Sequence, residues 1–137
     1  MRYLVLSDIH ANLEALDACL ADARRRGYDR TLLLGDVVGY GGDPNAVIDC
    51  VQALDPVALV RGNHDKVACG LEMHDGFNAV AKRAVGWTLD VLTREHREWL
   101  AALPQGPIWW MTSSRSAMGR PSTRTRTSST SSMPCGR

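Results

Sequence analysis

The chain has 137 residues, of which 45% are hydrophobic, and a formal net charge of +1. These values predict one compact domain with a core, and the near-neutral charge argues against a nucleic-acid binder or a trap for acidic substrates. No stretch is long and apolar enough to cross a membrane, and the run before Asp8 is too short for a signal peptide. The four cysteines form no CxxC pair. This is typical of buried, reduced thiols, so we expect a cytoplasmic protein with no membrane partner.

The chain begins with a short, β-prone apolar run at residues 3–6, which predicts a buried strand. Apolar side chains then recur at helical spacing from Leu13 onward, and Asn12 directly before them is a suitable N-cap. Three arginines and Gly27 follow the last apolar residue, as the helix dipole and the usual C-cap geometry favour. The sequence therefore predicts a strand followed by an amphipathic helix.

A second strand is predicted at residues 31–34 and a third at residues 57–60, both from continuous apolar runs. The helix between them begins at Asp43-Pro44, where the aspartate is the predicted cap and the proline occupies the first turn. Strands that alternate with helices across short connections form a parallel sheet covered by helices. The sequence therefore predicts an α/β fold.

The segment at residues 77–103 has helical periodicity, and its large apolar side chains are predicted to lie in the core: Trp87, Leu89, Leu92, Trp99, Leu100 and Leu103. The character of the chain changes after this segment. Residues 112–132 are mostly Ser, Thr and Arg, and from Pro107 onward the only charged side chains are arginines. This composition predicts a disordered, basic tail and leaves the part before it net acidic.

Each predicted strand is followed at once by a cluster of polar residues, at positions 7–10, 35–36 and 62–65. The carboxyl ends of parallel strands lie along one edge of a sheet, and ligand sites form in the crevice outside that edge. We therefore expect five side chains that are distant in sequence to converge: Asp8, His10, Asp36, Asn63 and His64.

The residue types in these clusters suit a centre with two metal ions. Aspartate and histidine ligate divalent transition metals, and an asparagine oxygen can complete a harder site. Asp36 has two carboxylate oxygens and can bridge two ions, which together can activate a water and clamp a phosphoryl oxygen. His64 can meet a leaving-group oxygen as a general acid, with Asp65 orienting its imidazole.

Each of these residues also has a plainer explanation when it is taken alone. An aspartate after a strand is usually a helix cap, and Gly-Asn or Gly-Asp is usually a turn. Three such clusters, each at the end of a predicted strand, favour a site instead. His74 and His96 lack this context and are predicted to lie on the surface.

The motifs Asp8-x-His10, Gly35-Asp36-x-x-Gly39 and Gly62-Asn63-His64-Asp65 resemble the signature of the calcineurin-like metallophosphoesterase superfamily. The longer strings at residues 7–16 and 35–41 are similar to its small bacterial phosphodiesterase branch, and the resemblance covers about residues 1–104. It implies that Asp8 and His10 bind the first metal, that Asp36 bridges, that Asn63 binds the second metal, and that His64 is the catalytic acid. It also implies a phosphate-ester substrate and the N-terminal half of a metallophosphoesterase β-sandwich flanked by helices. The ligand set fits two divalent ions of manganese, iron, zinc or nickel.

The family pattern continues with a His-Gly motif and a Gly-His-x-His motif, whose histidines complete both metal shells. No histidine follows His96 in this sequence, so on the family's scheme the first metal keeps three ligands and the second keeps Asp36 and Asn63. The second half of the sandwich is also missing, which predicts apolar surface on the remaining half. We interpret residues 1–106 as a partial phosphoesterase domain and residues 107–137 as a tail that is disordered or out of frame.

The tail itself allows a test of a frameshift. Tryptophan and methionine have single codons, and the frame that starts at the third base of the Trp109 codon encodes Val-Asp-Asp. In the same frame the codons of Met118 and Gly119 can encode His-Gly, in the order that the family pattern expects. A genuine low-complexity tail is the alternative, and the coding DNA decides between the two.

The leading functional hypothesis is a metal-dependent phosphoesterase that hydrolyses phosphomonoesters or phosphodiesters, with activity reduced by the missing ligands. The alternative is a non-catalytic remnant that binds a metal or a phosphate. A third interpretation assigns nucleic-acid binding to the arginines of the tail, but the tail lacks interleaved aromatics beyond Trp109 and Trp110. We therefore expect no nucleic-acid partner other than a nucleotide-type substrate.

Overall fold

The computed structural model of the chain describes residues 1–108. This part contains three strands and five helices: β1 (Tyr3–Leu6), α1 (Leu13–Arg26), β2 (Arg30–Leu33), α2 (Pro44–Ala53), β3 (Ala58–Leu59), α3 (Asn63–Ala68), α4 (Ala79–Val91) and α5 (Arg94–Ala102). The predicted tail lies outside the described residues except for Pro107 and Ile108.

The three strands form one parallel sheet in the order β1-β2-β3. Leu6 pairs with Leu33, which in turn pairs with Leu59. Both crossovers step in the same direction, and the right-handedness of β-α-β units then places α1 and α2 on the same face of the sheet. Their apolar stripes, which include Leu20 and Val47, join the buried core there. The predicted α/β architecture is confirmed.

The opposite face of the sheet is partly open in the described chain. Val5 in β1 is 51% exposed, and Leu34, directly after β2, is 55% exposed. The segment after α5 reaches this face, where Leu34, Val60 and Ile108 line a cavity of about 370 Å³. The apolar surface that was predicted for one half of a sandwich is therefore present.

The two crossover helices begin where the sequence predicts. The Asn12 side chain accepts a hydrogen bond of 3.0 Å from Ala15 N at the start of α1, and Gly27, with φ 73°, is its C-cap. Asp43 is the N-cap residue of α2, but its side chain makes no capping hydrogen bond. Its backbone amide instead donates to Ala11 O, which ties the start of α2 to the loop after β1.

The predicted helical stretch at residues 77–103 is two helices. Leu92 and Thr93 adopt extended backbone conformations between α4 and α5, and the Thr93 hydroxyl accepts a hydrogen bond from His96 N. This N-cap starts a new helix and interrupts the continuous periodicity that the sequence indicated.

The core prediction for these helices is correct for Leu92 and Leu100, which are buried, and Trp99 and Leu103 are partly buried and pack against the core. It is wrong for Trp87, which is 46% exposed. The buried stripe of α4 includes Val85. Trp87 lies two residues further, about 200° around the helix axis, so its indole faces away from the core.

His96 is buried, which corrects its predicted place on the surface, and His74 is half-buried. Nδ1 of His96 lies 2.8 Å from Asn45 Oδ1, and Nε2 lies 3.1 Å from Asp49 Oδ1. Both partners belong to α2, and they precede His96 by 51 and 47 residues. Local periodicity carries no information about such distant partners, so the sequence could not reveal this packing.

The prediction of buried, reduced cysteines is correct for Cys69, which is buried with a free thiol whose pKa burial raises. It is wrong for Cys19, which is exposed, whereas Cys50 is buried in the core as expected. Cys19 lies at the margin of the buried stripe of α1 and lines an open cleft beside Asp8. Cys135 lies outside the described residues.

Candidate metal centre

The loops after β1 and β2 run side by side beyond the end of the sheet. Asp8 N donates to Gly35 O over 3.2 Å, and His10 N donates to Asp36 O over 2.9 Å. These bonds extend the pairing of β1 with β2 past the last strand residues. They bring the first two polar clusters together at the carboxyl edge of the sheet, as parallel topology dictates.

Five residues of these two loops adopt the left-handed backbone region, with φ between 51° and 61°: Asp8, His10, Ala11, Asp36 and Tyr40. Residues other than glycine avoid this region at a cost of about 1–2 kcal/mol each. Such conformations persist only where the surrounding structure over-determines them, and they are common at functional sites. Here the hydrogen bonds between the loops hold the strained backbone.

Asp8, His10 and Asp36 each offer one ligand atom, and these three atoms lie within 4.8 Å of one another. Nε2 of His10 is 3.8 Å from Oδ1 of Asp8. Two ligands that each bind an ion at about 2.0–2.2 Å can be up to about 4.4 Å apart, so this pair can share one ion as it stands. Ligand atoms as much as 4.8 Å apart would need only a small side-chain movement to bind the same ion.

The tautomer of His10 also suits a metal ligand. Its Nδ1 lies 3.2 Å from the Val38 carbonyl oxygen. A carbonyl only accepts, so Nδ1 is the donor in this contact, and the nitrogen on the side of Asp8 that could bind a metal is Nε2. A ligating histidine typically has its second N–H held by a backbone carbonyl in this way. The donor set therefore fits a divalent cation.

Asp36 connects the loop after β2 with α3. Its Oδ1 accepts a hydrogen bond of 3.0 Å from His64 N. Gly62 approaches so closely that a Cβ there would lie 2.0 Å from the same oxygen, so the contact requires glycine. Asn63 follows as the first residue of α3 and its side chain is exposed.

His64 is 7% exposed, and its ring centroid lies 4.8 Å from that of His10. Its Nδ1 is buried and has no hydrogen-bond partner among residues 1–108. Burial lowers the pKa of His64 because desolvation disfavours the imidazolium, while the negative charge of Asp36 opposes this effect. The structure thus brings His64 into the same cluster as the three candidate ligands.

Asp65 is fully buried and bonds to backbone rather than to the imidazole of His64. Its Oδ1 accepts from Val38 N over 3.1 Å, and its Oδ2 accepts from Gly62 N over 2.9 Å. Burial raises the pKa of Asp65, and the backbone hydrogen bonds from Gly62 and Val38 oppose the rise. We expected Asp65 to pair with the His64 ring. Its carboxylate instead links α3 to the loop after β2.

Two aromatic residues whose role the sequence does not predict also contact the site. The ring centroid of Tyr40 is 5.0 Å from that of His10 and 4.9 Å from that of His64, and the Phe77 centroid is 4.5 Å from that of His64. We call His10, Tyr40, His64 and Phe77 the ring cluster. The place of Tyr40 between two glycines is a local signal for a special backbone. Phe77 has no such signal, because its partner lies in another element.

The site has counterparts in known proteins. A family model described as calcineurin-like phosphoesterase matches residues 1–121. The uncharacterized protein MJ0912 of Methanocaldococcus jannaschii is 43% identical over 100 residues, which are 73% of this chain and 41% of that protein.

Two solved structures are similar as well. The crystal structure of a metallophosphoesterase from Sphaerobacter thermophilus is 45% identical, with a TM-score of 0.63, over 76% of this chain and 42% of that one. A candidate diadenosine tetraphosphatase is 25% identical, with a TM-score of 0.55, over 75% of this chain and 43% of that one. The chain thus spans well under half the length of these relatives, but the match at residues 1–121 includes the sheet and all three polar clusters. The chain belongs to the calcineurin-like phosphoesterase family.

Proposed function

We propose that this chain carries the metal-binding part of a phosphoesterase that hydrolyses phosphomonoesters or phosphodiesters. The observation that supports this most directly is the convergence of ligand atoms from Asp8, His10 and Asp36 within 4.8 Å at the carboxyl edge of the sheet. Two carboxylates and an imidazole nitrogen form a donor set for a divalent transition metal. In a member of a phosphoesterase family, that donor set favours metal-dependent ester hydrolysis.

We infer that Asp8, His10 and Asp36 hold one divalent ion, and that Asp36 and Asn63 hold a second. Manganese, iron, zinc and nickel all suit this mixture of oxygen and nitrogen donors. The ions, when bound, would supply Lewis-acid polarisation of the phosphoryl oxygens. The proposed bridging of two ions by Asp36 is supported by the hydrogen bond that its carboxylate accepts from His64 N. This bond holds the carboxylate at the start of α3, where Asn63 directly precedes His64.

His64 is the proposed proton donor to the leaving-group oxygen. Its Nδ1 is buried, which leaves Nε2 as the nitrogen that can face a substrate. The lowered pKa makes its imidazolium a stronger acid. Asp65 would support this role indirectly, because its hydrogen bond from Gly62 N fixes the start of α3 on which His64 lies.

The proposed substrate is a phosphate ester, and a nucleotide-type ester agrees with the diadenosine tetraphosphatase description of one structural neighbour. We assign the activity to a domain at residues 1–106. Through residue 108, none of the helices combines the length and the apolar character that crossing a bilayer requires. A cytoplasmic location stays a prediction.

The sequence after His96 contains no further histidine, so few ligands are available for the second ion. We expect the 137-residue chain to retain metal weakly and to turn over slowly. The competing proposal is a module that binds a metal or a phosphate without turnover, and it rests on the same short ligand list.

The test is a paired measurement of metal binding and hydrolysis on the purified chain. The protein is stripped with a chelator and dialysed against manganese, and bound metal is measured by atomic emission. Hydrolysis of p-nitrophenyl phosphate and bis-p-nitrophenyl phosphate is followed in the same samples. Asp8→Asn and His10→Ala are compared with Asp75→Asn, a control at an exposed carboxylate outside the site.

We expect Asp8→Asn and His10→Ala to weaken metal binding by about tenfold or more and to reduce hydrolysis in proportion, while Asp75→Asn behaves as the unmodified chain. Metal binding without hydrolysis would favour the binding module. Hydrolysis that is equal in all four proteins would contradict the proposed site.

A further inference from the structure

The imidazole of His64 has aromatic neighbours in place of a polar anchor. Within the described chain its buried Nδ1 has no hydrogen-bond partner, and the adjacent carboxylate of Asp65 bonds to Val38 N and Gly62 N. The rings of Phe77 and Tyr40 lie 4.5 Å and 4.9 Å from the His64 ring, tilted by 32° and 40°. Contacts between rings can therefore help to set the rotamer of this side chain.

Tyr40 is held against His64 by the backbone around it. Its φ of 61° lies in the left-handed region, and a glycine stands on each side of it. A Cβ on Gly39 would lie 2.7 Å from His64 Nδ1, and one on Gly41 would lie 2.4 Å from His10 O. The loop can close onto both histidines only because these two positions have no side chain. The Tyr40 ring is nevertheless 48% exposed, so burial of the ring does not explain its strained backbone.

Phe77 lies two residues before α4, and its ring also contacts the ring of His64. Its amide donates to His74 O, and it packs against the core. The next residue, Asn78, caps α4 by accepting hydrogen bonds from Val80 N and Ala81 N. The position of the Phe77 ring is thus set by the start of a stable helix rather than by a free loop.

We propose that Tyr40 and Phe77 are positioning residues, which hold the imidazole of His64 so that Nε2 meets the leaving-group oxygen. Attraction between tilted rings sets the orientation that a carboxylate partner would otherwise set. The inference rests on the proposed function, because it takes His64 as the proton donor. Simple core packing is the competing explanation, and it predicts no dependence on the chemistry of the leaving group.

The first readout is spectroscopic and needs no turnover. The chain is labelled with ¹³C-histidine, and the ring signals of His64 are assigned by their loss in His64→Gln. Phe77→Leu and Tyr40→Leu each remove one ring contact, and Phe77→Tyr and Tyr40→Phe restore a ring. Trp87→Leu is the control, because it removes an exposed indole from α4 outside the ring cluster.

Ring currents from Tyr40 and Phe77 should displace the His64 proton signals from those of a free imidazole. We expect each leucine variant to move these signals toward the free position and to broaden them as the ring samples further rotamers. The phenylalanine, tyrosine and Trp87 variants should retain the displaced, sharp signals. His64 signals that do not respond to either leucine variant would overturn the proposal.

The second readout is the dependence of kcat on the leaving group with manganese present. A proton donor matters for phenyl phosphate, whose phenolate leaves poorly, and matters little for p-nitrophenyl phosphate. General acids contribute about 10²–10⁴-fold, so the leucine variants should lower kcat for phenyl phosphate by about tenfold or more. Equal losses with both substrates would overturn the proposal in favour of packing.

The two readouts separate the inference from the function on which it rests. If the unmodified chain shows no turnover while the His64 signals respond as expected, the proposed function fails and the ring-based orientation stands. If Phe77→Leu does not fold, Tyr40→Leu decides alone, because the Tyr40 ring is largely outside the core.

Discussion

The backbone amide of His64 donates a hydrogen bond of 3.0 Å to Oδ1 of Asp36. The residue that is proposed to bridge the two metals therefore also fixes the start of the helix that carries the proposed proton donor. A shift of either residue would displace the other, so metal binding and proton donation are expected to be coupled in this fold.

Replacing Gly62 with alanine is expected to destabilise the fold and to weaken metal binding. The new Cβ would lie 2.0 Å from Asp36 Oδ1 and 2.4 Å from Asp36 N, and the backbone atom cannot move aside freely. Over-packing of this kind costs about 1–3 kcal/mol, which urea unfolding measures. Gly86 in α4 has no atom within 4 Å of an added Cβ, so Gly86→Ala should instead gain up to about 1 kcal/mol. Equal effects at the two glycines would contradict this account.

Replacing Asp65 with alanine should be among the most destabilising changes at the site. It removes the acceptor of two backbone amides, Val38 N and Gly62 N. Each buried donor left without a partner costs about 1–3 kcal/mol. The midpoint of urea unfolding should fall accordingly, whereas Asp75→Ala at an exposed position should stay within about 0.5 kcal/mol of the unmodified chain. An Asp65→Ala protein of normal stability would show that the link between α3 and the loop after β2 is unimportant.

Replacing Asn45 with alanine is expected to loosen the packing of α5 on α2. The Asn45 side chain donates to Val91 O and accepts from Thr93 N, and it lies 2.8 Å from Nδ1 of His96. Loss of these partners should cost about 1–3 kcal/mol, visible as a lower melting temperature. Gln52→Ala, at an exposed position of the same helix, is the control and should melt normally.

Replacing Asn78 with alanine should destabilise α4 by about 0.5–2 kcal/mol, because it removes an N-cap. The Asn78 side chain accepts hydrogen bonds from Val80 N and Ala81 N. Asn78→Ser keeps a capping oxygen and should retain most of the stability. Amide hydrogen exchange across α4 measures the difference, and equal exchange in the two variants would rule out the cap as its cause.

The open face of the sheet should bind hydrophobic dyes and promote association. Val5 and Leu34 are more than half exposed on this face, and exposed apolar patches favour aggregation. Val5→Thr and Leu34→Thr together should lower the fluorescence of bound anilinonaphthalene sulfonate and reduce light scattering. Leu71→Thr is a control at a residue that is 55% exposed outside the sheet. An equal reduction with Leu71→Thr would mean that the sheet face is not the cause.

The positions of the strands and of the first helix were predictable because they depend on nearby residues. The first strand occupies Tyr3–Leu6 as predicted, while the second is Arg30–Leu33, one residue earlier than expected. Asn12 caps α1 because an asparagine before an apolar helical repeat needs no distant partner. The six-residue α3 escaped prediction, because residues 62–65 were interpreted as a polar cluster after a strand and no apolar helical repeat marks the helix.

By itself, the sequence determined that three strands alternate with two crossover helices, and with this the edge of the sheet where Asp8, His10 and Asp36 meet. Periodicity and short motifs depend on nearby residues. Because all strands of a parallel sheet end at the same edge, motifs that follow different strands lie close together there. Only the tertiary structure decided what surrounds His64: the backbone partners of Asp65, and the rings of Tyr40 and Phe77. These contacts join residues from separate elements, and their geometry depends on how those elements pack, which no local pattern records.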